Sequence, residues 1–351
     1  MATIVLTGGG TAGHCTPHLA ILPYLRNHFN KVYYIGSESG IERQIIERAG
    51  IEYFFVPCAK LTRNSIKKNI TTPIKVLSGI RKAKKLLKRL KPDVVFSKGG
   101  YVSVPIVFAA HKLKIPIISH ESDFSVGLAN KLTSKYCKLV LTSFSNTAET
   151  LKNGLFVGSP IRNNIKIKTN TNNYQRFNLS NDKPVLLVTG GSQGAAAINA
   201  ALKNALEELL DNYNVIHICG KGNLDTELSH KGYYQAEFLS DIEKAFSIAD
   251  VCVSRAGSNT VFELISLKIP TVLIPLPKGT SRGDQIQNAE YFQKLGLATV
   301  LYQENLTKSS LILAINNCFQ NKNEFLRNFN AHPISDQSEK IAQIIIKNSK
   351  N

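Results

Sequence analysis

The feature that most constrains the fold is an order of elements that occurs twice: a short apolar run, a glycine-rich loop and a helical pattern. The first copy begins at Ile4–Gly10 and the second at Leu186–Gly194. After each copy, short β-branched runs alternate with longer helical patterns, which is typical of parallel strands joined by crossover helices. The chain therefore predicts two doubly wound α/β domains. The predicted strands are Thr3–Thr7, Val32–Ile35, Val94–Ser97, Pro116–Ser119 and Leu139–Thr142, then Val185–Thr189, Val215–Cys219, Tyr234–Phe238, Val251–Ser254, Thr271–Ile274 and Thr299–Tyr302.

The boundary between the two domains is predicted near residue 160. A length of 351 residues with 43% hydrophobic residues favours two cores over one. Gly158–Arg162 leads into a polar stretch that runs to Asp182, a composition typical of a hinge. We therefore expect an N-terminal domain over 1–160 and a C-terminal domain over 161–337. The isoleucine-rich segment 338–351 is expected to form a helix that joins the N-terminal domain.

Positive charge is concentrated in one segment of the chain. The net charge is +18, which permits nucleic acid, an anionic membrane or phosphorylated substrates as partners. Lys60–Lys91 contains many Lys and Arg and no Asp or Glu, and apolar residues interleave with the cations. Two interpretations fit equally: an amphipathic surface on anionic lipid, or a solvated helix whose apolar residues face the core.

Any membrane contact is expected to be peripheral. No apolar run approaches the roughly 20 residues that span a bilayer. The first residues enter a strand directly, without the basic and apolar segments of a secretory leader, so we expect a cytoplasmic protein. The six cysteines are scattered without a C-x-x-C pair, which predicts neither a disulfide framework nor a zinc site.

The first glycine loop contains the spacing G-x-G-x-x-G over Gly8–Gly13. Alone, this spacing is a weak indication of a dinucleotide site, with Glu38 as a candidate ribose-binding acid. Thr16–Pro17 reads as an N-cap followed by proline at the first helical position, so the helix begins after a loop longer than a dinucleotide fold requires. The loop presents His14, and histidine, with a pKa of about 6.5, suits a general base at neutral pH. A hydrogen-bonding histidine in a tight turn is the alternative.

The second half offers two strand-to-helix turns that suit an anion. Gly190–Gly194 precedes an alanine-rich helix, and Ser254–Gly257 precedes a helix that begins at Ser258. Backbone N–H groups and the helix dipole at such turns can bind a diphosphate. Glu263, about one and a half turns further, can accept both hydroxyls of a ribose, and Gln285, in a later helix, can read sugar hydroxyls. Ordinary glycine turns with surface Glu and Gln side chains are the alternative.

Several spaced segments of the chain together carry a family resemblance. They are Gly8–His14, Ser97–Tyr101 with Pro105, His120–Asp123 with Gly127–Lys131, Gly158–Arg162, and Gly190–Gly194. Taken in order, these segments resemble the MurG family, the bacterial N-acetylglucosaminyltransferases that convert lipid I to lipid II in peptidoglycan synthesis. The resemblance implies a GT-B glycosyltransferase fold, two Rossmann-like domains facing a central cleft, with the acceptor bound by the N-terminal domain and UDP-GlcNAc by the C-terminal domain.

The resemblance implies an inverting transfer of GlcNAc from UDP-GlcNAc to the C4 hydroxyl of MurNAc in lipid I, at the cytoplasmic face of the bacterial plasma membrane. It makes His14 the suspected base. Two positions depart from the family: Ala12 stands where many relatives have a second glycine, and Asp123 stands where some have an asparagine that contacts the donor sugar. An ionised carboxylate at this position can accept a hydrogen bond but cannot donate one. The residues implied to bind substrates are Thr11, Ala12, Gly13, Asp123, Arg162, Ser192, Gln193, Leu239, Ser258, Asn259, Thr260, Val261, Phe262, Glu263 and Gln285.

No cofactor is expected to be required. No Asp-x-Asp pair follows a predicted strand, so we expect backbone dipoles and arginine to stabilise the departing UDP, with a divalent cation at most stimulating the reaction. The alternatives are another UDP-sugar enzyme of this fold, such as a glycolipid synthase or a UDP-GlcNAc epimerase, and an NAD-linked oxidoreductase that leaves the second glycine loop unused. A nucleic-acid-binding module leaves both loops unused, and a chain without Trp offers no obvious stacking platform, so no nucleic acid is expected.

Overall fold

The computed structural model describes residues 2–59, 72–162, 165, 172–191, 194–279 and 282–350. The chain divides into two compact units. The N-terminal unit consists of Met1–Arg162 with Asp336–Asn351, and the C-terminal unit consists of Asn163–Ser335. Each unit is built on one parallel sheet, and the units are described separately below.

The N-terminal unit has seven parallel strands. They are β1 (Thr3–Thr7), β2 (Lys31–Gly36), β3 (Glu52–Phe55), β4 (Val94–Ser97), β5 (Ile117–Glu121), β6 (Leu139–Thr142) and β7 (Gly154–Phe156), in the spatial order β3-β2-β1-β4-β5-β6-β7. The first six helices are α1 (Thr16–Arg26), α2 (Ile41–Arg48), α3 (Thr72–Leu90), α4 (Ser103–Lys112), α5 (Leu128–Thr133) and α6 (Ser145–Glu149).

The central strand of this unit is buried on both faces. Ile4 and Leu6 lie in one apolar cluster, while Val5 lies in a second cluster on the other side of the sheet. Successive side chains of a strand point to opposite faces, so a strand covered by helices on both sides is apolar at every position. This explains why the sequence of β1 shows a continuous apolar run rather than an alternating one.

The C-terminal unit repeats the arrangement with six parallel strands. They are β8 (Val185–Thr189), β9 (Asn214–Ile218), β10 (Tyr233–Ala236), β11 (Val251–Ser254), β12 (Thr271–Leu273) and β13 (Thr299–Val300), in the order β10-β9-β8-β11-β12-β13. Its helices are α7 (Asn172–Arg176), α8 (Ala196–Asn212), α9 (Ile242–Ile248), α10 (Ser258–Ser266), α11 (Asp284–Lys294), α12 (Lys308–Gln320) and α13 (Lys322–Ala331).

The last helix, α14 (Ser338–Lys347), belongs to the N-terminal unit. It packs against α1 and buries Ile341 and Ile345 in the cluster that contains Ile4. The carboxylate of Asp336 accepts the backbone N–H of Ile161 at 2.9 Å and that of Ser338 at 2.9 Å. The returning chain is therefore fastened to the N-terminal unit by both apolar packing and hydrogen bonds.

The predicted doubly wound α/β fold is confirmed in both halves. Every predicted strand is present with ends within two residues of the expected positions, and the helix predicted to begin at Ser258 begins there. Two strands, β3 and β7, were not predicted. Within the part of the chain that the structure describes, no helix combines the length and the apolar character needed to cross a membrane.

Candidate active site

In both sheets the strand order reverses beside the first strand of the unit. β1 lies between β2 and β4, and β8 lies between β9 and β11. In open parallel sheets, ligands bind beyond the carboxyl ends of the strands at such a switch point. The loops after β1 and β4 in one unit, and those after β8 and β11 in the other, are therefore the candidate sites, and they contain the motifs selected from the sequence.

The loop after β1 contains glycines that tolerate close packing, and it ends in a short helical turn. Gly10 has φ +93°, and a Cβ there would lie 2.6 Å from the ring of Tyr101. Ala12–His14 forms one turn of 3₁₀ helix, and α1 begins only at Thr16, with Cys15 rather than Thr16 at the N-cap position. The loop is therefore longer than a dinucleotide fingerprint, and the candidate ribose acid Glu38 is exposed.

His14 is held by a backbone carbonyl. Its Nδ1 lies 3.0 Å from the carbonyl oxygen of Lys98. A carbonyl can only accept a hydrogen bond, so Nδ1 carries the proton and the neutral ring has its lone pair on Nε2. His14 is half-buried at the loop and can therefore act as a base through Nε2.

The loop after β4 places a buried lysine beside this histidine. The Nζ of Lys98 lies 2.6 Å from Nδ1 of His120 and 2.6 Å from Oγ of Ser122. Burial lowers the pKa of Lys98 to about 7, against the opposing effect of the negative charges of Glu121 and Asp123. Lys98 lies in the matching segment Ser97–Tyr101, but no role was predicted for it from the sequence.

Glu121 organises the loop that carries Asp123. Its carboxylate accepts the backbone N–H of Asp123 at 3.1 Å, that of Gly127 at 2.8 Å, and the side-chain amide of Asn130 at 2.8 Å. These bonds explain why the matching motif extends over two separated segments. Asp123 is half-buried at this edge of the sheet, and its contact with the donor sugar stays a prediction.

A second buried carboxylate, which the sequence analysis missed, supports the first glycine loop from its other side. Glu42 accepts the backbone N–H of Ser37 at 3.2 Å and that of Gly10 at 3.4 Å, and it also binds the Ser37 hydroxyl. A Cβ on Gly9 would come within 2.6 Å of this carboxylate. A glycine at this position is therefore a packing requirement as well as a conformational one.

In the C-terminal unit, the start of α10 offers a site for an anion. Ser258 is the first residue of the helix, and Gly257 at the N-cap position has no side chain to satisfy the first N–H groups. A Cβ built on Gly257 would meet none of the described atoms within 4 Å. The backbone N–H groups at the helix start and the positive end of the helix dipole can therefore approach a phosphate.

A buried arginine lies beside this helix start. Arg255 is 9% exposed and donates to the carbonyl of Ile274 at 3.1 Å and to Oε1 of Gln303 at 2.7 Å. Burial lowers the pKa of Arg255 from its ordinary value near 12.5, which still leaves the guanidinium charged at neutral pH. Its charge adds to the positive potential at the helix N-terminus.

The candidate sugar-binding residues follow in the next elements. Glu263 lies in α10 and is 7% exposed, so it is a buried carboxylate rather than a solvated one. Gln285 lies in α11 and its Oε1 accepts the backbone N–H of Leu276 at 3.1 Å. With its oxygen used in this way, Gln285 has its NH₂ group left as a donor for a ligand.

The predicted site residues fall into two groups, one in each unit. Thr11, Gly13, His14 and Asp123 lie at the carboxyl edge of the N-terminal sheet, and Arg162 is the last residue of that unit before the chain crosses. The residues of the second group with described positions are Leu239, Ser258, Asn259, Thr260, Val261, Phe262, Glu263 and Gln285. Ser192 and Gln193 lie outside the described residues, as does the side chain of Ala12.

Among the residues with described positions, no group of three or more His, Cys, Asp or Glu side chains is placed to hold a metal ion. All six cysteines are free, and five of them are buried. The expectation that no metal is required stays a prediction.

Comparisons with known proteins agree over the whole chain. The model of the glycosyltransferase family 28 N-terminal domain matches residues 4–142, and that of the C-terminal domain matches residues 185–345. The UDP-N-acetylglucosamine--N-acetylmuramyl-(pentapeptide) pyrophosphoryl-undecaprenol N-acetylglucosamine transferase of Clostridium botulinum (strain Loch Maree / Type A3) is 44% identical, covering 100% of both chains. The enzyme of the same name from Clostridium kluyveri is 45% identical, covering 99% of both.

A solved structure points to the same family. The crystal structure of Acinetobacter baumannii MurG matches with a TM-score of 0.76 and 26% identity, covering 99% of this chain and 100% of that one. The chain belongs to glycosyltransferase family 28 and is an enzyme with the GT-B fold. The resemblance to the MurG family is confirmed as well. These matches favour the transferase over the oxidoreductase and the nucleic-acid-binding module.

Proposed function

We propose that this enzyme transfers GlcNAc from UDP-GlcNAc to the C4 hydroxyl of MurNAc in lipid I, forming lipid II and UDP. The names of the relatives support the choice of donor and acceptor. The observation that carries the chemistry is the hydrogen bond from Nδ1 of His14 to the carbonyl of Lys98, because it leaves Nε2 as the basic atom of the ring.

The transfer is a direct displacement with inversion. Nε2 of His14 accepts the proton of the acceptor C4 hydroxyl while the oxygen attacks C1 of GlcNAc. The bond between C1 and the diphosphate oxygen breaks, and UDP leaves with the electron pair. The C4 oxygen of the acceptor forms the new glycosidic bond on the face of C1 opposite to the departing UDP.

The donor is assigned to the C-terminal unit. The N–H groups at the start of α10, over Ser258–Thr260, would stabilise the negative charge that develops on the departing UDP. Glu263 would accept the ribose hydroxyls, and the NH₂ group of Gln285 would donate to a sugar hydroxyl. Ser192, Gln193 and the backbone at Leu239 are further proposed donor contacts, with Arg162 and Asp123 contributing from the N-terminal unit.

We further propose that the enzyme binds the cytoplasmic face of the plasma membrane through α3. Ala83 and Leu87 of this helix are buried, whereas Ile74 is 70% and Leu77 is 57% exposed. Lys84, Lys85 and Lys88 are exposed as well. An amphipathic helix with exposed apolar side chains and cations suits a surface of anionic lipid. The first part of the basic segment, Lys60–Thr71, lies outside the described residues.

The function is tested by following radiolabel from UDP-GlcNAc. We expect label to appear in the lipid phase when a soluble lipid I analogue is present, with one UDP released per sugar transferred. Transfer should still occur when the reaction is run in excess chelator. A lipid acceptor that lacks the MurNAc C4 hydroxyl is the control and should stay unlabelled. Release of free GlcNAc or of an epimerised UDP-sugar, without labelled lipid, would contradict the proposal.

A further inference from the structure

Lys98 carries a buried amino group whose hydrogen-bond partners are both uncharged. Its side chain is 2% exposed, and its contacts with Nδ1 of His120 and Oγ of Ser122 are with uncharged acceptors. Neither of these two contacts is with a carboxylate. Burying an ammonium in this way costs free energy that an apolar side chain of similar length would avoid. Folding stability alone therefore does not explain why a lysine occupies this buried position.

The far end of the Lys98 side chain is fixed by a defined set of hydrogen bonds. Nε2 of His120 lies 3.2 Å from the carbonyl of Gly158, so Nε2 carries the proton. The lone pair of His120 is therefore on Nδ1, the atom that faces the lysine at 2.6 Å. Since β4 and β5 are paired neighbours, the Lys98 side chain ties the turn after β4 to the end of β5.

The near end of Lys98 determines where His14 sits. The carbonyl of Lys98 is the acceptor for Nδ1 of His14. Gly99 and Gly100 follow, both with φ +77°, and a Cβ on Gly100 would lie 2.2 Å from the carbonyl oxygen of Gly9 and 3.1 Å from Cδ2 of His14. The turn is packed against the histidine ring without spare room, so a displacement of Lys98 would move its carbonyl relative to that ring.

We propose that Lys98 is a positioning residue for the transfer reaction. Its ammonium, anchored on His120 and Ser122, fixes the backbone carbonyl that sets the tautomer and the orientation of His14. This inference rests on the proposed role of His14 as the base. Lys98 itself touches neither substrate in this account.

The test is Lys98→Met, which keeps the length of the side chain and removes its donors. We expect kcat to fall on the order of 10- to 100-fold, because small misplacements of a catalytic group have effects of that size. The KM for UDP-GlcNAc should change much less than kcat, since most of the proposed donor contacts lie in the C-terminal unit. Lys31→Met is the matched control, because Lys31 is exposed at the opposite, amino-terminal end of the same sheet.

A second readout is the ring tautomer of His14, measured by ¹⁵N NMR and assigned by difference with His14→Gln. The wild-type ring should show a protonated Nδ1, whereas Lys98→Met should show a mixture of tautomers. A ring that keeps its protonated Nδ1 in Lys98→Met would overturn the proposal, whether or not kcat falls. If Lys98→Met does not fold, Ser122→Ala removes one of the two acceptors and should show a smaller shift in the same direction.

The two readouts separate this inference from the proposed function. If the wild-type enzyme transfers no sugar to lipid I, the function fails, but the tautomer of His14 still reports whether Lys98 positions the ring. If transfer occurs and the tautomer is unaffected by Lys98→Met, the function stands and the positioning role is wrong.

Discussion

Three histidines around the first glycine loop each form a hydrogen bond from a ring nitrogen to a backbone carbonyl. His14 binds the carbonyl of Lys98, His18 that of Thr7 at 3.2 Å, and His120 that of Gly158. Carbonyls accept only, so each bond fixes which nitrogen carries the proton. For the fully buried His18 and His120, desolvation lowers the pKa well below the ordinary value. These two rings are therefore held neutral around the loop that carries the proposed base.

The buried His18 makes a prediction about acid stability. Burial lowers the pKa of His18 from 6.5 to about 3, so below pH 6.5 the unfolded chain binds a proton that the folded state does not. The stability from neutral His18 is present above pH 6.5 and is lost as the pH falls towards 3. His18→Gln keeps a donor for the Thr7 carbonyl without titrating.

The measurement is the free energy of unfolding in urea as a function of pH. Between pH 6.5 and 4, we expect the slope for His18→Gln to be smaller than that of the wild type by up to about 1.4 kcal/mol per pH unit, the value for one proton. The slopes are compared rather than the absolute stabilities, because the substitution also removes edge contacts with Tyr34 and Phe96. Parallel slopes would mean that His18 does not titrate as its burial requires.

Local sequence patterns indicate some residues of the candidate site but not others. His14 and Glu263 could be selected because glycine turns and helix starts have local signatures. Lys98 could not be given a role, because its partner His120 comes near it only through the pairing of neighbouring strands. Glu42 could not be given one either, because its contacts with Ser37 and Gly10 depend on how the loops fold. Nothing in the local sequence distinguishes a lysine that turns inward from one that turns to solvent.

At the scale of elements, the strands that were missed lie at the sheet edges. β3 is only half-buried and β7 has three residues, whereas the central strands are buried throughout. Each of these edge strands still overlaps a short apolar run, Tyr53–Val56 and Leu155–Val157, but neither run was selected from the sequence. The central strands are buried at every position, and their bounds were predicted closely.

Helix α3 combines the two roles between which the sequence could not decide. Ala83 and Leu87 pack in the core, and Lys82 lies 3.5 Å from the centre of the Phe55 ring. Ile74 and Leu77 are exposed together with the neighbouring cations. The core-facing interpretation is therefore right for one side of the helix, and the proposed membrane contact concerns the other side.

Charge reversal on this exposed side tests the membrane contact. Lys84→Glu, Lys85→Glu and Lys88→Glu combined should weaken binding to vesicles containing anionic lipid by at least about tenfold, since each cation near such a surface contributes about 1 kcal/mol. Binding is measured by co-sedimentation. The matched control reverses three exposed lysines of the C-terminal unit, Lys221, Lys231 and Lys294. Equal binding by the α3 variant and the control would exclude α3 as the contact.

At the scale of the whole molecule, the two units share the same type of parallel-sheet topology. In each, the strand order reverses next to the first strand, and the segments that follow the strands at that reversal contain part of the candidate site, including His14 in one unit and Ser258 in the other. The alternation of strands and helices in the sequence predicts this class of fold, because parallel strands need crossover connections. It does not predict which strands become neighbours, so the contact between the loops after β1 and β4 emerged only from the structure.

The central claim is that the units divide the work, with chemistry at His14 and donor binding at Glu263. Measuring kcat and the KM for UDP-GlcNAc in His14→Gln and Glu263→Gln tests it most directly. We predict that His14→Gln lowers kcat by about 10²- to 10⁴-fold with little change in KM, the usual effect of losing a general base. Glu263→Gln should mainly raise KM. If both variants lowered kcat and weakened donor binding to the same extent, this division would be wrong.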